Sequence, residues 1–292
     1  MNEIVIKGGT VIDRTGVRTA DVGVSAGRIT EVGSGVSGER TLDASGCVVS
    51  PGFVDLHVHL RQPGKEEAET VQTGSRAAAL GGFTAVVAMP NTDPAQDCVE
   101  VVEQVRRWGV EAGLCEVLPS GCLTVGRAGE RMAPLGELAG VGVKFFTDDG
   151  NGVQDPLLMR RIMEYSLDLD VVLAQHCEVE ALSEGGHMHE GEWSSRLGIP
   201  GIPAEAEELM VFRDIALARL TGARVHLQHL STEGAVALVR EHAGEYGVDP
   251  ERVAIMGFSA GGHTALVAAT SRPVHPGADA RASRPDLAIL VY

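Results

Sequence analysis

Residues 51–61 read PGFVDLHVHLR, and this stretch decides the fold class that the sequence predicts. It begins apolar and then places His57 and His59 two positions apart. Residues two apart in a strand point to the same face, so both imidazoles and the Asp55 carboxylate share one side. A helix could not present the pair in this way. The stretch therefore predicts a β-strand that offers two imidazoles to one metal ion.

The histidine spacing alone is weak evidence for a metal site. The chain has ten histidines, and the same pattern recurs at His187 and His189. Glycines flank that second pair, so we expect it to lie in a loop. What distinguishes the pair at His57 and His59 is the set of elements predicted around it.

The region after residue 50 alternates between strand-like and helical patterns. Helical stretches at 155–167 and 204–220 separate apolar runs, and the second stretch follows Pro203, begins with acidic residues and stops before Gly222. Such alternation predicts an α/β fold with a parallel sheet, open or closed into a barrel. The predicted strands of this region lie at 53–57, 83–89, 115–118, 141–146, 171–175 and 224–228.

The two ends of the chain have a different character. Residues 1–50 contain short Val/Ile runs between glycine turns, which predicts a small β-module. Strand-like runs at 252–258 and 286–292 bring the count after residue 50 to eight, but no helix follows the last one. The composition also changes near residue 239. We therefore predict three segments, at 1–50, 51–238 and 239–292.

The charge of the chain indicates which binding partners to exclude, and its cysteine content indicates the cellular compartment. The 292 residues include 40 acidic and 24 basic side chains, and this net charge of −16 argues against nucleic acid or an anionic membrane as partner. The first residues lack the layout of a signal peptide, so we expect a cytoplasmic protein. The odd number of cysteines, scattered and without CxxC spacing, favours reduced thiols: Cys47, Cys98, Cys115, Cys122 and Cys177.

Further candidate metal ligands follow the predicted strands. Asp148 and Asp149 end one strand, His176 ends the next, and His229 lies at the end of a third. Barrel enzymes gather their chemistry at these carboxyl ends. Imidazoles with a bridging carboxylate suit a pair of Zn²⁺ ions that share a hydroxide.

In their order and spacing these motifs resemble the amidohydrolase superfamily, and its dihydroorotase family in particular. The resemblance covers about 238 residues. It implies a (β/α) TIM-type barrel, here incomplete or chimeric, with an N-terminal β-sandwich module. Besides 51–61, the segments that carry it are GGFT at 81–84, MPNT at 89–92, FTDDG at 146–150, QHC at 175–177 and QHLST at 228–232.

The resemblance implies a set of ligands for two zinc ions. His57 and His59 would hold one ion, Asp149 would bridge, and His176 and His229 would hold the other. Two alternatives for the bridge remain open, namely Asp148 and a carbamylated Lys144. His226 lies on the opposite strand face from His229, so we expect it to pack or to support the site.

The resemblance also implies a substrate and its binding residues. Arg61 and Asn91 are expected to bind a substrate carboxylate, for which an arginine fork is well suited. The implied reaction is the reversible hydrolysis of the cyclic amide of dihydroorotate to N-carbamoyl-aspartate in pyrimidine biosynthesis. Hydantoinases and allantoinases share the paired histidines, but the FTDDG segment favours dihydroorotase. A homo-oligomer is a further possibility.

Two segments that the resemblance implies have no match here. They are an Asn-Pro-Pro-Leu-Arg-like segment and an Asp-His-Ala-Pro-His-like segment, whose Asp would serve as metal ligand and proton shuttle. After residue 249 the only aspartates are Asp279 and Asp286, and neither precedes a histidine. Activity of this chain is therefore in question, and the alternative is a catalytically dead metal-binding chimera or a truncated product.

The last segment resembles an esterase fragment of the α/β-hydrolase type. Residues 257–261 form a Gly-x-Ser-x-Gly elbow, with Ser259 at its apex. A working triad needs an acid and a later histidine, and only His263 and His275 follow. A serine esterase that acts through Ser259 is the least favoured function.

Overall fold

The computed structural model describes residues 1–242 and, beyond them, the backbone of two strands at Ala254–Phe258 and Leu287–Val291. The predicted elbow serine Ser259, the histidines His263 and His275 and the late aspartates Asp279 and Asp286 lie outside the described residues. None of the helices in the described part of the chain is long and apolar enough to cross a membrane.

The first fifty residues form one mixed β-sheet. Its order is β3-β2-β1-β4, with β5 paired to β1, and the strands β1 and β2 form an antiparallel hairpin. Val11, Ala20 and Val22 are buried on one face. The predicted β-module is thus present, while the second layer of a sandwich is not among the described residues and stays a prediction. The strands are β1 (Asn2–Asp13), β2 (Gly16–Ser25), β3 (Arg28–Gly33), β4 (Gly38–Asp43) and β5 (Val48–Val49).

Strands and helices alternate from residue 53 to residue 242, as the sequence predicts. The first half comprises β6 (Phe53–Val58), α1 (Val71–Leu80), β7 (Phe83–Ala88), α2 (Val99–Ala112), β8 (Glu116–Pro119), α3 (Leu135–Gly140) and β9 (Phe145–Thr147). The second half comprises α4 (Pro156–Ser166), β10 (Val172–His176), α5 (Glu180–Ser183), β11 (Met188–His189), α6 (Glu192–Leu197), β12 (Gly201–Ile202), α7 (Glu205–Thr221), β13 (Val225–Gln228) and α8 (Glu233–His242). The strands β14 (Ala254–Phe258) and β15 (Leu287–Val291) pair in parallel with each other.

The central strands form two parallel sheets that meet at one point. One sheet has the order β6-β7-β8 and the other β13-β10-β9. They are joined by a parallel bridge between Gly121 and Phe146. A Cβ at Gly121 would lie 2.7 Å from Phe146 Cε1, so only glycine allows this close approach. Six strands thus follow one another in chain order, and the closure of a full barrel stays a prediction.

Two predicted elements are wrong in detail. The strand predicted at 141–146 begins only at Phe145, because Val141 caps the C-terminus of α3 and Gly142 turns the chain with a φ of +91°. The segment predicted as a loop around His187 and His189 contains the short strand β11, which gains hydrogen bonds from β12. A short apolar run does not distinguish a helix end from a strand.

The helices pack on the strands through regular apolar stripes. In α4 the buried residues Met159, Ile162, Met163 and Ser166 recur at helical spacing. The Asp155 side chain caps this helix by accepting from Leu157 N at 2.7 Å. The main core cluster also contains Leu135, Leu138, Phe146 and Leu173, all fully buried. The strands that carry the candidate ligands therefore pack against a well-filled apolar core.

A buried polar group interrupts the apolar face of α7. Asp214 is fully buried and accepts from Arg213 Nε at 2.8 Å, while Arg213 Nη1 donates to Val153 O at 2.7 Å. Burial raises the pKa of Asp214 to about 6, although the bonds to Arg213 and Gln175 act in the other direction. This network fastens α7 to the chain just before α4.

The raised pKa of Asp214 predicts a particular pH dependence of stability. A folded-state pKa of about 6, against 3.8 for the model carboxyl, means that the folded chain retains a proton that the unfolded chain releases. Stability from this group is therefore present below about pH 4 and is lost as the pH rises to about 6. We expect Asp214→Asn to flatten the fall in unfolding free energy over this window, by at most about 3 kcal/mol. Urea unfolding of both proteins at several pH values measures the effect, and parallel curves would contradict it.

Candidate metal centre

The predicted metal ligands come together at the carboxyl ends of the parallel strands. His57 lies near the end of β6 with His59 just after it, Asp149 follows β9, His176 ends β10, and His229 follows β13. Four imidazoles surround the Asp149 carboxylate. The distances to Asp149 Oδ1 are 2.9 Å from His229 Nε2, 3.4 Å from His57 Nε2 and 3.6 Å from His176 Nδ1, and His59 Nε2 lies 3.5 Å from Asp149 Oδ2.

Asp149 is the electrostatic centre of this cluster. Its carboxylate is buried, with a side-chain exposure of 4 %. Burial by itself would raise the pKa of Asp149, but the facing imidazoles of His176, His229 and His57 together lower it well below its usual range. The carboxylate is therefore ionised at neutral pH and can serve as an anionic ligand.

The donor set fits a divalent metal ion. His57, Asp149 and His229 each offer one ligand atom, and these atoms all lie within 4.8 Å of one another. His57 Nε2 and His176 Nδ1 are buried, face the carboxylate and make no hydrogen bond. Buried nitrogens without a partner are costly unless something else satisfies them. Imidazole nitrogens with a carboxylate oxygen are the ligands that zinc prefers.

The geometry separates Asp149 from the two alternatives for the bridge. Asp148 is also buried, but its carboxylate accepts from Leu123 N at 2.8 Å and Thr124 N at 3.1 Å. Lys144 lies on the surface, with its Nζ 3.4 Å from Asp170 Oδ2. Neither side chain approaches the imidazoles.

His226 takes no direct part in the cluster. Its ring packs against Phe145 with centroids 5.6 Å apart, and burial lowers the pKa of its imidazole. This placement agrees with the packing role expected for it.

The two expected substrate-binding residues flank the paired histidines. Arg61 follows His59 by two positions and adopts a φ of +56°. Asn91 follows β7, and its Oδ1 lies 3.0 Å from His59 Nδ1. Burial lowers the pKa of His59, an effect that the bond to Asn91 only partly offsets. Asn91 thus contacts a candidate ligand, a contact that the sequence does not indicate.

Two outer contacts were also missed at the sequence level. Gln228 Nε2 lies 3.0 Å from His57 Nδ1, and Glu178 Oε2 lies 3.5 Å from His176 Nε2. Both residues fall within or beside the quoted motifs, since Gln228 precedes His229 and Glu178 follows His176 by two positions. That adjacency was the available signal, although it does not say which imidazole each would meet.

A carboxylate from α7 holds the turn that carries His229. Glu207 is buried and accepts from Ser231 N at 2.9 Å and Thr232 N at 3.0 Å, and from both hydroxyls. His229 itself has a φ of +61°, a conformation that non-glycine residues rarely adopt. The sequence indicated only a first-turn acid of α7 at this position. We call these bonds the Glu207 clamp. They stabilise the strained turn at His229 and hold the two residues that directly precede α8.

Removal of the Glu207 carboxylate should loosen this turn. Glu207→Ala removes the acceptor that the Ser231 and Thr232 donors share, so we expect a loss of about 1–2 kcal/mol in unfolding free energy. Glu205→Ala, in the same helical turn but exposed, is the control and should change little. Urea unfolding measures both, and equal effects of the two substitutions would refute the clamp.

Comparison with solved structures identifies the class of fold. L-hydantoinase from Arthrobacter aurescens superposes with a TM-score of 0.68 at 20 % identity, over 84 % of this chain and 57 % of that one. D-hydantoinase from Bacillus sp. AR9 gives 0.61 at 25 % identity, over 84 % and 55 %. The chain therefore has the amidohydrolase fold. The family model described as dihydro-orotase-like matches residues 46–235, and the chain belongs to this family.

Curated relatives agree with the family. The dihydroorotase of Pelotomaculum thermopropionicum is 48 % identical over 243 residues, which are 82 % of this chain and 57 % of that protein. The dihydroorotase of Anaeromyxobacter dehalogenans is 49 % identical over 245 residues, or 82 % and 56 %. The chain thus spans a little over half the length of the relatives it matches. The resemblance to dihydroorotases is confirmed. A second and minor match, to the BD-FAE model at residues 221–280, overlaps the segment predicted to resemble an esterase.

Proposed function

We propose that this chain is a zinc-dependent amidohydrolase of the dihydroorotase type, which reversibly hydrolyses the cyclic amide of dihydroorotate to N-carbamoyl-aspartate in pyrimidine biosynthesis. The observation that carries the proposal is the convergence of four imidazoles on the buried Asp149 carboxylate, in a chain of the dihydro-orotase-like family. The curated relatives that are 48 % and 49 % identical to this chain are dihydroorotases, which supports dihydroorotate over a hydantoin as the substrate.

The proposed ligands divide between two ions. His57 and His59 would hold one ion, His176 and His229 the other, with Asp149 shared between them. Zinc bound in such a site supplies a hydroxide nucleophile at neutral pH and polarises the attacked carbonyl. The role of Asp149 is to keep a fixed negative charge between the imidazoles, which its lowered pKa ensures.

Arg61 and Asn91 are proposed to orient the substrate through its carboxylate. A guanidinium binds a carboxylate through two parallel hydrogen bonds, which fixes both position and angle. The Oδ1 of Asn91 is used by His59 Nδ1, and its Nδ2 carries two further donors. Asn91 can therefore support His59 and donate to a substrate carboxylate at the same time.

The proposal includes the arrangement of the chain and its compartment. We propose a β-module at 1–50, the amidohydrolase domain at 51–238 and a separate segment at 239–292. The scattered cysteines without CxxC spacing support reduced thiols and a cytoplasmic compartment.

The first test combines zinc content with turnover. We expect purified chain to bind zinc and to hydrolyse dihydroorotate, and His57→Ala to abolish both, because it removes one ligand of the proposed pair. Elemental analysis counts zinc per chain, and absorbance follows dihydroorotate. Hydantoin and p-nitrophenyl acetate serve as alternative substrates, with Ser259→Ala as the esterase control. Less than one zinc per chain together with no turnover would refute the proposal.

A second candidate function is a metal-binding chain without turnover. It is favoured by one observation, the absence of a sequence match for the late Asp that the family resemblance implies. General acid–base assistance contributes about 10²–10⁴ in rate, so its loss would slow the reaction severely. Full zinc content without dihydroorotate turnover identifies this second function.

Substitution of Arg61 tests substrate recognition separately from metal binding. Arg61→Ala removes a charge-assisted bond to the substrate carboxylate, so we expect KM for dihydroorotate to rise about 10- to 100-fold. Zinc content should stay the same. Arg160→Ala, which breaks only an exposed ion pair with Glu164, is the control. A normal KM in Arg61→Ala would exclude the proposed role.

A further inference from the structure

The side chain of Arg127 contacts the backbone on both sides of the proposed bridging ligand Asp149. Its Nε donates to Asp148 O at 3.2 Å, and its Nη2 donates to Asp149 O. The first carbonyl belongs to the peptide group that precedes the Cα of Asp149, and the second belongs to the peptide group that follows it. A guanidinium holds its donors in a rigid plane, so one side chain fixes both peptide groups. The direction of the Asp149 Cα–Cβ bond follows from them.

The turn after Asp149 leaves room for this guanidinium. Gly150 adopts a φ of +85°, and a Cβ at this position would lie 3.2 Å from Arg127 Nη2. A larger residue would be strained there and would crowd the donor. Asn151 adds a bond in the reverse direction, since its Nδ2 donates to Arg127 O at 3.0 Å. Arg127 and the turn at 148–151 are therefore joined from both sides.

Arg127 reaches the turn from a strained loop, at residues 123–129. It adopts a φ of +59°, next to Gly126 with a φ of +61°. A left-handed conformation costs a non-glycine residue free energy and persists only where surrounding contacts hold it. Two such contacts are the bond from Gly126 N to Asp97 Oδ2 at 2.7 Å and the bond from Gly129 N to the Thr124 hydroxyl at 2.9 Å.

The side chain of Asp148 holds the same loop from the turn. Its buried carboxylate accepts from Leu123 N, from Thr124 N and from the Thr124 hydroxyl. Asp148 therefore anchors the loop that carries Arg127, and Arg127 in return binds the Asp148 carbonyl. The two adjacent aspartates have different tasks, since the carboxylate of Asp148 holds the loop and that of Asp149 faces the imidazoles.

The exact position of the Asp149 carboxylate matters because imidazoles from three strands surround it. Its oxygens lie 2.9 to 3.6 Å from nitrogens of four histidines. Ligand groups must be held within about 0.5 Å and 10–20° of the geometry that a site requires. The side chain of an aspartate is short, so a rotation of the backbone at Asp149 would move both oxygens together. Contacts that fix this backbone therefore control the donor set.

We propose that Arg127 is a positioning residue for the metal centre, whose guanidinium fixes the two peptide groups around Asp149 and so sets how tightly the site binds metal. The inference rests on the metal centre proposed above and not on its substrate. Arg127 is only half-buried, so water can replace it at both carbonyls when its side chain is removed. Its loss therefore affects the orientation of Asp149 more than the folding of the chain.

Zinc affinity, measured on the full chain against a competing chelator, tests this role. Arg127→Ala should lower the affinity about 10- to 100-fold, as expected for the loss of a residue that orients a ligand. Arg127→Lys should lower it less, because an ammonium keeps the charge but lacks the rigid fork. Arg131→Ala, exposed and four positions further along, is the matched control and should leave the affinity unchanged. Equal affinities of Arg127→Ala and Arg131→Ala would overturn the proposal.

The visible absorption of Co²⁺, bound in place of zinc, separates positioning from general packing. Its bands depend on the number and geometry of the ligands around the ion. We expect Arg127→Ala to change these bands, while Arg131→Ala matches the unsubstituted chain. Unchanged bands in Arg127→Ala would contradict the proposal.

The remaining outcomes are also decisive. Should Arg127→Ala fail to fold, Arg127→Lys replaces it, and an affinity and bands equal to those of the unsubstituted chain would overturn the proposal. An unsubstituted chain that binds neither Zn²⁺ nor Co²⁺ would refute the metal centre and this proposal together. Neither measurement uses dihydroorotate, so absent turnover with the expected metal results intact would refute only the substrate.

Discussion

The attraction between one buried carboxylate and four imidazoles is the interaction on which this structure depends. Asp149 is buried at the centre of the strand ends, where a lone carboxylate would be expensive. The surrounding imidazoles reverse that expectation and lower its pKa. Strand order, helix packing and the Glu207 clamp all act to bring these five side chains to one place. A cluster of this kind has little purpose in packing, because it replaces apolar core with groups that need mutual satisfaction.

Much of the fold was predictable because its signals are local. Two residues spaced like His57 and His59 share a face in any strand. Helix α4 is indicated by the spacing of its apolar residues and by the Asp155 cap. The prediction of a strand at 141–146 was wrong because an apolar run does not record whether its residues pack from a helix or a strand. The strand β11 was missed because its partner β12 supplies the hydrogen bonds that define it.

The candidate ligands were accessible from sequence, but their supports were not. His57 and Gln228 are 171 positions apart and lie on strands β6 and β13 of two different sheets, so only the tertiary fold brings them together. Glu207 and Ser231 are 24 positions apart, and nothing in a first-turn glutamate indicates that it faces inward. Single-sequence patterns report the face on which a residue lies. They do not report which distant residue meets it there, and supporting contacts are of that second kind.

The bridge between Gly121 and Phe146 is the seam between the two central sheets, and the candidate metal ligands come from both sides of it. His57 and His59 belong to the sheet on one side of this seam, while Asp149, His176 and His229 belong to the sheet on the other. Within the part of the chain that the structure describes, two backbone hydrogen bonds cross at the bridge, Gly121 N to Phe145 O at 2.9 Å and Thr147 N to Gly121 O at 2.8 Å. An ion held by both sets of ligands would link the two sheets across the seam. By mass action it would then resist the parting of the two halves as well as taking part in chemistry.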